Sequence, residues 1–286
     1  MYEPWRGVFY PDKLPQKRQL EYASRALTSI EINGSFYSLQ KPESFARWHD
    51  ETPDDFVFSV KAPKFITHVL KLDRAETPIA NFVASGIARL GVKLGAILWQ
   101  LPPSLRYDPD LIERFLAQLP HDSDEAAALA RKHDGKVEGR AALDFVPGRP
   151  FRNALEVRNA SFRDPSFIAL LREYRVAPVV GDTAGRWPYM EDVTADFVYL
   201  RLHGDETVYP DGYTQPALER WKQRIDCWRA GGEPEDAVRA GNVAAPRLPS
   251  RDIYCYFDND TKACAPRDAQ RLIELMDNGA QRRSSA

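Results

Sequence analysis

The 286-residue chain sets 39 Lys and Arg against 41 Asp and Glu for a net charge of −2, and 43% of its residues are hydrophobic. That balance excludes a disordered polyelectrolyte and gives no electrostatic reason to expect a nucleic-acid or acidic-membrane partner. Cys227, Cys255 and Cys264 fall in no metal-binding spacing, and the N-terminus has no signal-like pattern. With no apolar run of membrane length, these features set the expectation of a cytoplasmic protein with free thiols.

Trp5 to Pro15 carries aromatics, Gly7 and prolines and reads as a structured loop. Leu20, Ala23 and Leu27 recur at spacings of three and four, which predicts a helix over Gln16 to Leu27. Thr28 to Asn33 follows as a strand, with Ile30 and Ile32 on one face and Glu31 and Asn33 on the other. Gly34 is expected to turn the chain there, leaving Ser35, Phe36 and Tyr37 on a loop. A helix beginning near Pro42 ends before Pro53.

Phe56 to Val60 is a β-rich run, and a polar loop with His68 separates it from a helix over Thr77 to Leu90, closed by Gly91. Ala96 to Ser104 is a buried strand stopped by paired prolines, and Asp110 to Gln118 is a helix. His121 to Gly148 breaks this rhythm and reads as a surface excursion. The alternation then resumes: strands at Asn153 to Arg158, Val176 to Gly181, Phe197 to Leu202 and Ile253 to Asp258, with helices at Asp164 to Tyr174, Gln215 to Gly231 and Pro266 to Met276. Residues 1–277 therefore read as a single domain, and 278–286 as a frayed tail.

Strands separated by helices, with almost no hairpin signals, predict parallel βαβ units. The seven strands are one short of a (β/α)₈ barrel, and the chain has no GxGxxG phosphate loop. A TIM-barrel-type fold binds its ligands where the strands end, so strand ends should be polar on one face. They are: Glu31 with Asn33, Ser59 with Lys61, Gln100 after Leu98, Glu156 with Arg158, Arg201 with His203, and Tyr256 with Asp258, while Asp182 follows Gly181.

Glu31, Glu156, Asp182, His203 and Asp258 are the candidate acids and bases. Arg158 and Arg201 are candidate clamps for a phosphate or carboxylate, and Lys61, Gln100 and Asn33 are further binding groups. Phe36, Tyr37, Tyr209 and Tyr213 read either as a stacking platform or as packing. Glu156 and Arg158 equally read as an ion pair that only neutralises buried charge, and His203 as a hydrogen-bonded strand-end residue. His68 reads as a solvent-facing or rim residue, and Trp99, opposite Gln100, as packing under a helix. Cys255 alternates away from Tyr256 and Asp258, which argues against a catalytic thiol. No metal site is expected, because cations balance anions at the rim; a divalent metal on Glu31, Glu156, Asp182 and His203 is the minority alternative.

Six ordered motifs, EINGSFYSLQKPESFARW, FVFSVKAPKFITH, ILWQLPPS, LEVRNASF, YLRLHG and YFDND, together resemble domain of unknown function family 72, the YecE-like family. The resemblance runs over nearly the whole chain. It implies a TIM-barrel-type fold and leaves the reaction open. Members usually carry a strand of the type IGTSGW before the segment that here reads MYEPWRGVFYP. Without that strand, Thr28 to Asn33 or Ile253 to Asp258 is expected to have an exposed edge.

The leading functional expectation is an enzyme acting on a small anionic substrate, phosphorylated or sugar-like, by acid/base chemistry. The alternatives are a non-catalytic nucleic-acid or metabolite-binding protein and a metal-dependent phosphoester hydrolase.

Overall fold

A computed structural model describes residues 3–204, 211–259 and 263–284. Seven strands form one parallel sheet in chain order: β1 Ser29–Ile32, β2 Val57–Lys61, β3 Leu94–Gln100, β4 Arg152–Glu156, β5 Ala177–Asp182, β6 Phe197–Leu202 and β7 Asp252–Phe257. The helices are α1 Gln19–Ala26, α2 Gly34–Tyr37, α3 Pro42–Asp50, α4 Glu76–Ala84, α5 Pro109–Leu116, α6 Ser123–Ala130, α7 Pro165–Glu173, α8 Gln215–Arg229 and α9 Cys264–Ser284. The sheet curls into a nearly closed α/β barrel.

Period-two alternation sorts each strand. Phe58, Val60, Ile97, Trp99 and Leu155 face outward into the layer shared with the helices. Ala96, Leu98, Ala154, Ala177 and Val179 face inward, where their small size leaves room for Phe197, Tyr199 and Tyr256 to fill the barrel. Trp99 lies under helices as expected, edge-on to Phe82 and Phe115, with its Nε1 donating to Asn153 Oδ1 at 2.9 Å. At the N-terminal end of the barrel Arg152 acts as a plug, donating to Asp252, Tyr254 and Asp196 at 2.6, 3.0 and 2.7 Å.

The barrel does not close through its backbone. β1 pairs with β2, β7 pairs with β6, and among the described residues no strand lies between β1 and β7. A cleft of about 1580 Å³ opens at this seam, walled by Leu20, Leu27, Ile253, Ala269, Leu272 and Met276, and it reaches the C-terminal mouth of the barrel. Both strands flanking the seam thus carry the exposed edge expected of one of them.

Local departures from the sequence reading have steric causes. The helix expected over Thr77 to Leu90 breaks after Ala84 and resumes as a 3₁₀ stretch, Ile87–Lys93. Gly86 turns the chain there with φ +136°, where a Cβ would lie 2.7 Å from the Phe45 ring and from Pro42 Cα. The loop expected at Ser35 to Tyr37 is the single-turn helix α2, and Gly34 opens it with φ outside the left-handed region. Ser35 pins that turn, its hydroxyl lying 3.1 Å from Ile32 O and 2.7 Å from Lys61 O.

The excursion at 121–148 contains α6 and packs back on the barrel: Asn81 and Asp134 exchange two hydrogen bonds of 3.0 Å, and Val137 is buried. Helix α9 runs on to Ser284, past the expected end at Met276. No helix among the described residues is long and apolar enough to cross a membrane.

Unpaired strand edges open at low free energy. In hydrogen-exchange mass spectrometry the amides of β1 and β7 are expected to exchange about ten-fold or more faster than those of β3 and β4; equal protection in all four strands would mean that the seam is closed in solution.

Candidate functional site

Arg201 is the centre of the mouth. The alternation of β6 turns Tyr199 and Arg201 inward, and the Arg201 side chain is 2% exposed. Its guanidinium makes four hydrogen bonds to three carboxylates: Nε and Nη2 to Glu31 at 3.1 and 2.9 Å, Nη1 to Glu156 at 2.8 Å, and Nη2 to Asp258 at 2.9 Å. These carboxylates stand on β1, on β4 and just after β7. Arg201 therefore bridges the two sides of the open seam.

Each carboxylate is further constrained. Glu31 accepts the Tyr199 hydroxyl at 2.7 Å. Glu156 accepts from Gln100 Nε2 at 2.9 and 3.1 Å and from Arg158 Nε at 2.7 Å. Asp258 lies 3.2 Å from His203 Nδ1. One level below, Tyr256 on β7 donates to Ser59 Oγ on β2 at 2.8 Å, a second tie across the seam.

The electrostatics follow from that packing. Burial pushes the Glu156 carboxyl up, but the charges of Arg201, Arg158 and His203 and the Gln100 bond outweigh it and hold its pKa at about 2. For Asp258 burial is likewise outweighed, by the His203 hydrogen bond and the Arg201 charge, and its pKa lies well below the usual carboxylate range. Burial alone would lower the Arg201 pKa; Glu31, Glu156 and Asp258 raise it well above the ordinary value.

Three residues at the mouth keep polar atoms outside this network. Lys61, at the end of β2, is buried, and among the described residues its Nζ has no hydrogen-bond acceptor or carboxylate partner; it sits 4.5 Å from the Phe36 ring centroid. Burial and then the Arg201 charge lower its pKa, against the opposing pull of Glu31, Glu156 and Asp258. His203 Nε2 is also buried without a hydrogen-bond partner among the described residues. Arg158, half-buried, stacks 5.4 Å from the Trp187 ring, and its Nη groups make no hydrogen bond among the described residues.

The structure thus brings together Glu31, Lys61, Gln100, Glu156, Arg158, Arg201, His203 and Asp258, with Phe36 over Lys61 and exposed Asn33 and Tyr37 at the cleft edge. Asp182 and Tyr213 are placed elsewhere: Tyr213 is buried in the outer layer, and its hydroxyl donates to Asp182 at 3.0 Å. Gly181 occupies the inward position of β5, and alternation turns Asp182 away from the mouth. Tyr209 lies outside the described residues.

The metal set Glu31, Glu156, Asp182 and His203 does not assemble, since two of its members hold Arg201 and Asp182 faces Tyr213. Among the described residues no group of three or more His, Cys, Asp or Glu is arranged to hold a metal ion. The half-buried Cys255 thiol is pushed up to about 12 by burial, which keeps it in the unreactive protonated form.

Tyr199 was not singled out by the sequence, and His68 was read only as a solvent-facing or rim residue. Tyr199 shares the inward face of Arg201, a signal that period two carries. His68 sits in a π-helical turn, Phe65–Val69, which lays its ring edge-on to Phe36 at 5.2 Å; no linear pattern announces such a turn.

The family profile described as "Protein of unknown function DUF72" matches residues 1–286. The chain belongs to the DUF72 family. YunF of Bacillus subtilis, a UPF0759 protein, is 23% identical over 94% of this DUF72 chain and 90% of its own length. The UPF0759 protein YecE of Escherichia coli K12 is 34% identical over a shorter stretch of 83 residues, 29% of this chain. Among solved structures, a DUF72 family protein from Thermotoga maritima superposes with a TM-score of 0.68 at 23% identity, covering 96% of this chain and 95% of that one. One from Enterococcus faecalis gives 0.62 at 15% identity, over 91% and 93%. These likenesses establish the fold.

Because the Glu156 pKa of about 2 is below its ordinary value of 4.5, the stabilisation from this group is complete above 4.5 and is lost as pH falls toward about 2. In urea titrations the stability difference between wild type and E156Q should therefore narrow as pH is lowered from 6 to 3, by an amount on the order of 1–3 kcal/mol. A difference that stays constant across that range would contradict the arrangement.

Proposed function

We propose that this DUF72 chain is an enzyme acting at the C-terminal mouth of its barrel on a small anionic substrate, phosphorylated or sugar-like, by acid/base chemistry. One observation carries the reading. The carboxylates at the mouth are satisfied by Arg201, Arg158, Gln100, Tyr199 and His203, whereas Lys61 Nζ and His203 Nε2 are left without partners among the described residues. A mouth whose unpaired groups are nitrogens suits an anionic or carbonyl oxygen.

In this reading Asp258 orients the His203 ring and His203 Nε2 transfers the proton. Lys61 and the free Nη groups of Arg158 bind the substrate. Arg201, expected from sequence to clamp an anion, instead positions Glu31, Glu156 and Asp258 and has little left to offer a ligand. Glu31 and Glu156 hold the cations in register, and Asp182 has no reacting role.

A second reading is supported by the aromatic rim. Tyr37, 71% exposed, lies 5.5 Å from Lys64 Nζ, and exposed Phe65 lies 5.2 Å from Lys136 Nζ. Such pairs suit binding without turnover of a stacking ligand such as a single-stranded nucleic acid.

A panel of sugar phosphates and the corresponding free sugars separates the two. Phosphorylated members are expected to raise the melting temperature, and at least one is consumed when followed by NMR. H203A is expected to cut that turnover by about 100-fold or more while keeping the thermal shift. No shift with any sugar phosphate, or full turnover by H203A, would contradict the enzyme reading; binding of an oligo-dT that weakens steeply with salt would favour the second.

A further inference from the structure

The described residues contain two buried lysines, Lys61 and Lys93. Lys93 is built as a structural cation: its Nζ donates to His49 O at 2.6 Å, to Thr52 O at 2.8 Å and to Thr52 Oγ1 at 3.3 Å. Lys61 has none of this. Its Nζ lines the cleft with an aromatic face on one side and no oxygen acceptor among the described residues. Its ammonium faces the cleft and not a structural partner, so neither packing nor ion pairing accounts for a lysine there. The same environment favours the neutral amine, because burial and the nearby Arg201 charge both oppose protonation.

His68 is linked to it through Phe36. Its ring contacts the Phe36 ring that Lys61 covers, Thr67 Oγ1 engages its Nδ1 at 2.8 Å, and its Nε2 makes no hydrogen bond among the described residues. Burial, followed by the charges of Lys61 and Arg158, lowers its pKa, which favours the neutral ring. Lys61 and Arg158 thus line one cleft, and His68 packs on the Phe36 ring that Lys61 covers.

We infer that Lys61 is a covalent catalyst: its amine forms a Schiff base with the carbonyl carbon of an aldehyde or ketone substrate whose anionic group is held at Arg158, and His68 relays the protons. The inference deepens the proposed function and rests on it for the anionic group. The lone pair of neutral Nζ adds to the carbonyl carbon, and the C=O π pair moves to oxygen. His68 takes a proton from Nζ and returns it to that oxygen, giving the carbinolamine. The C–O bond then breaks as the second Nζ proton follows the first. One water leaves, carrying the carbonyl oxygen and both Nζ protons, and the C=N bond remains. No oxidant or reductant is needed, and the imine gives the enzyme an electron sink for proton or carbon–carbon chemistry at the adjacent carbon.

The test uses pyridoxal 5′-phosphate, which joins an aldehyde to a phosphate, and phosphate-free pyridoxal. The intact chain is incubated with each, reduced with borohydride and mapped by peptide mass spectrometry. One pyridoxyl group per chain is expected at Lys61, formed at least ten-fold faster than at exposed Lys17, Lys41 or Lys71 and at least ten-fold faster with the phosphate than without. K61R, which puts a fixed cation there without a nucleophilic amine, should lose the adduct while its melting temperature still rises with pyridoxal 5′-phosphate. H68A should slow adduct formation at Lys61 and leave that thermal shift intact. Labelling at Lys61 no faster than at the exposed lysines, with the thermal shift preserved in K61R, would overturn the covalent role and leave the anion site standing. Absence of both the adduct and the thermal shift in wild type would overturn the inference and the proposed function together.

Discussion

The mouth of this barrel depends on one buried guanidinium. Seven strands leave β1 and β7 without a shared ladder, so side chains must hold the seam from inside. Arg201 reaches Glu31 on one side of it and Asp258 on the other, and Glu156 anchors it to β4. Tyr256 with Ser59 repeats the principle one level below. Charges taken out of water are costly, and this cluster persists because its geometry is dense: most N–H groups of Arg201 and most carboxylate oxygens around it are matched. Replacing one member would leave the others buried and unpaired, which is far worse than never having had them.

That saturation separates scaffold from chemistry. A side chain that spends its hydrogen bonds on neighbours cannot offer them to a ligand, so Arg201, Glu31 and Glu156 set positions. The groups left over are Lys61 Nζ, which lines the cleft, and His203 Nε2, which is buried; neither has a hydrogen-bond partner among the described residues, and the proposed function rests on them. The contrast with Lys93, which finds three oxygens, shows that this fold can satisfy a buried lysine when structure is all that is required.

Much of this was legible in the chain. Period two in each strand placed Glu31, Lys61, Gln100, Glu156, Arg201 and Asp258 on inward faces, and βαβ alternation located all seven strands. The same rule, followed strictly along β5, puts Gly181 inward and Asp182 outward; grouping Asp182 with the rim ignored it. Charge type was legible, but partner choice was not. Whether Arg201 clamps a ligand or its own carboxylates depends on which strands lie opposite across the barrel, and that is set by register and curvature. His68 was legible as a solvent-facing or rim residue but its partner was not, since its place beside Phe36 comes from a π-helical turn. Gly86 likewise breaks a periodic helix because Phe45 and Pro42 press against it, a contact between segments far apart in sequence.

The central claim is that Arg201 and Glu31 jointly close the seam, and a double-mutant cycle measures it most directly. Urea unfolding of wild type, Arg201→Met, Glu31→Gln and the double variant gives their coupling free energy, predicted at about 1.5–3 kcal/mol for a dense buried pair. Additivity within about 0.5 kcal/mol would contradict it, because the two residues would then stabilise the barrel independently.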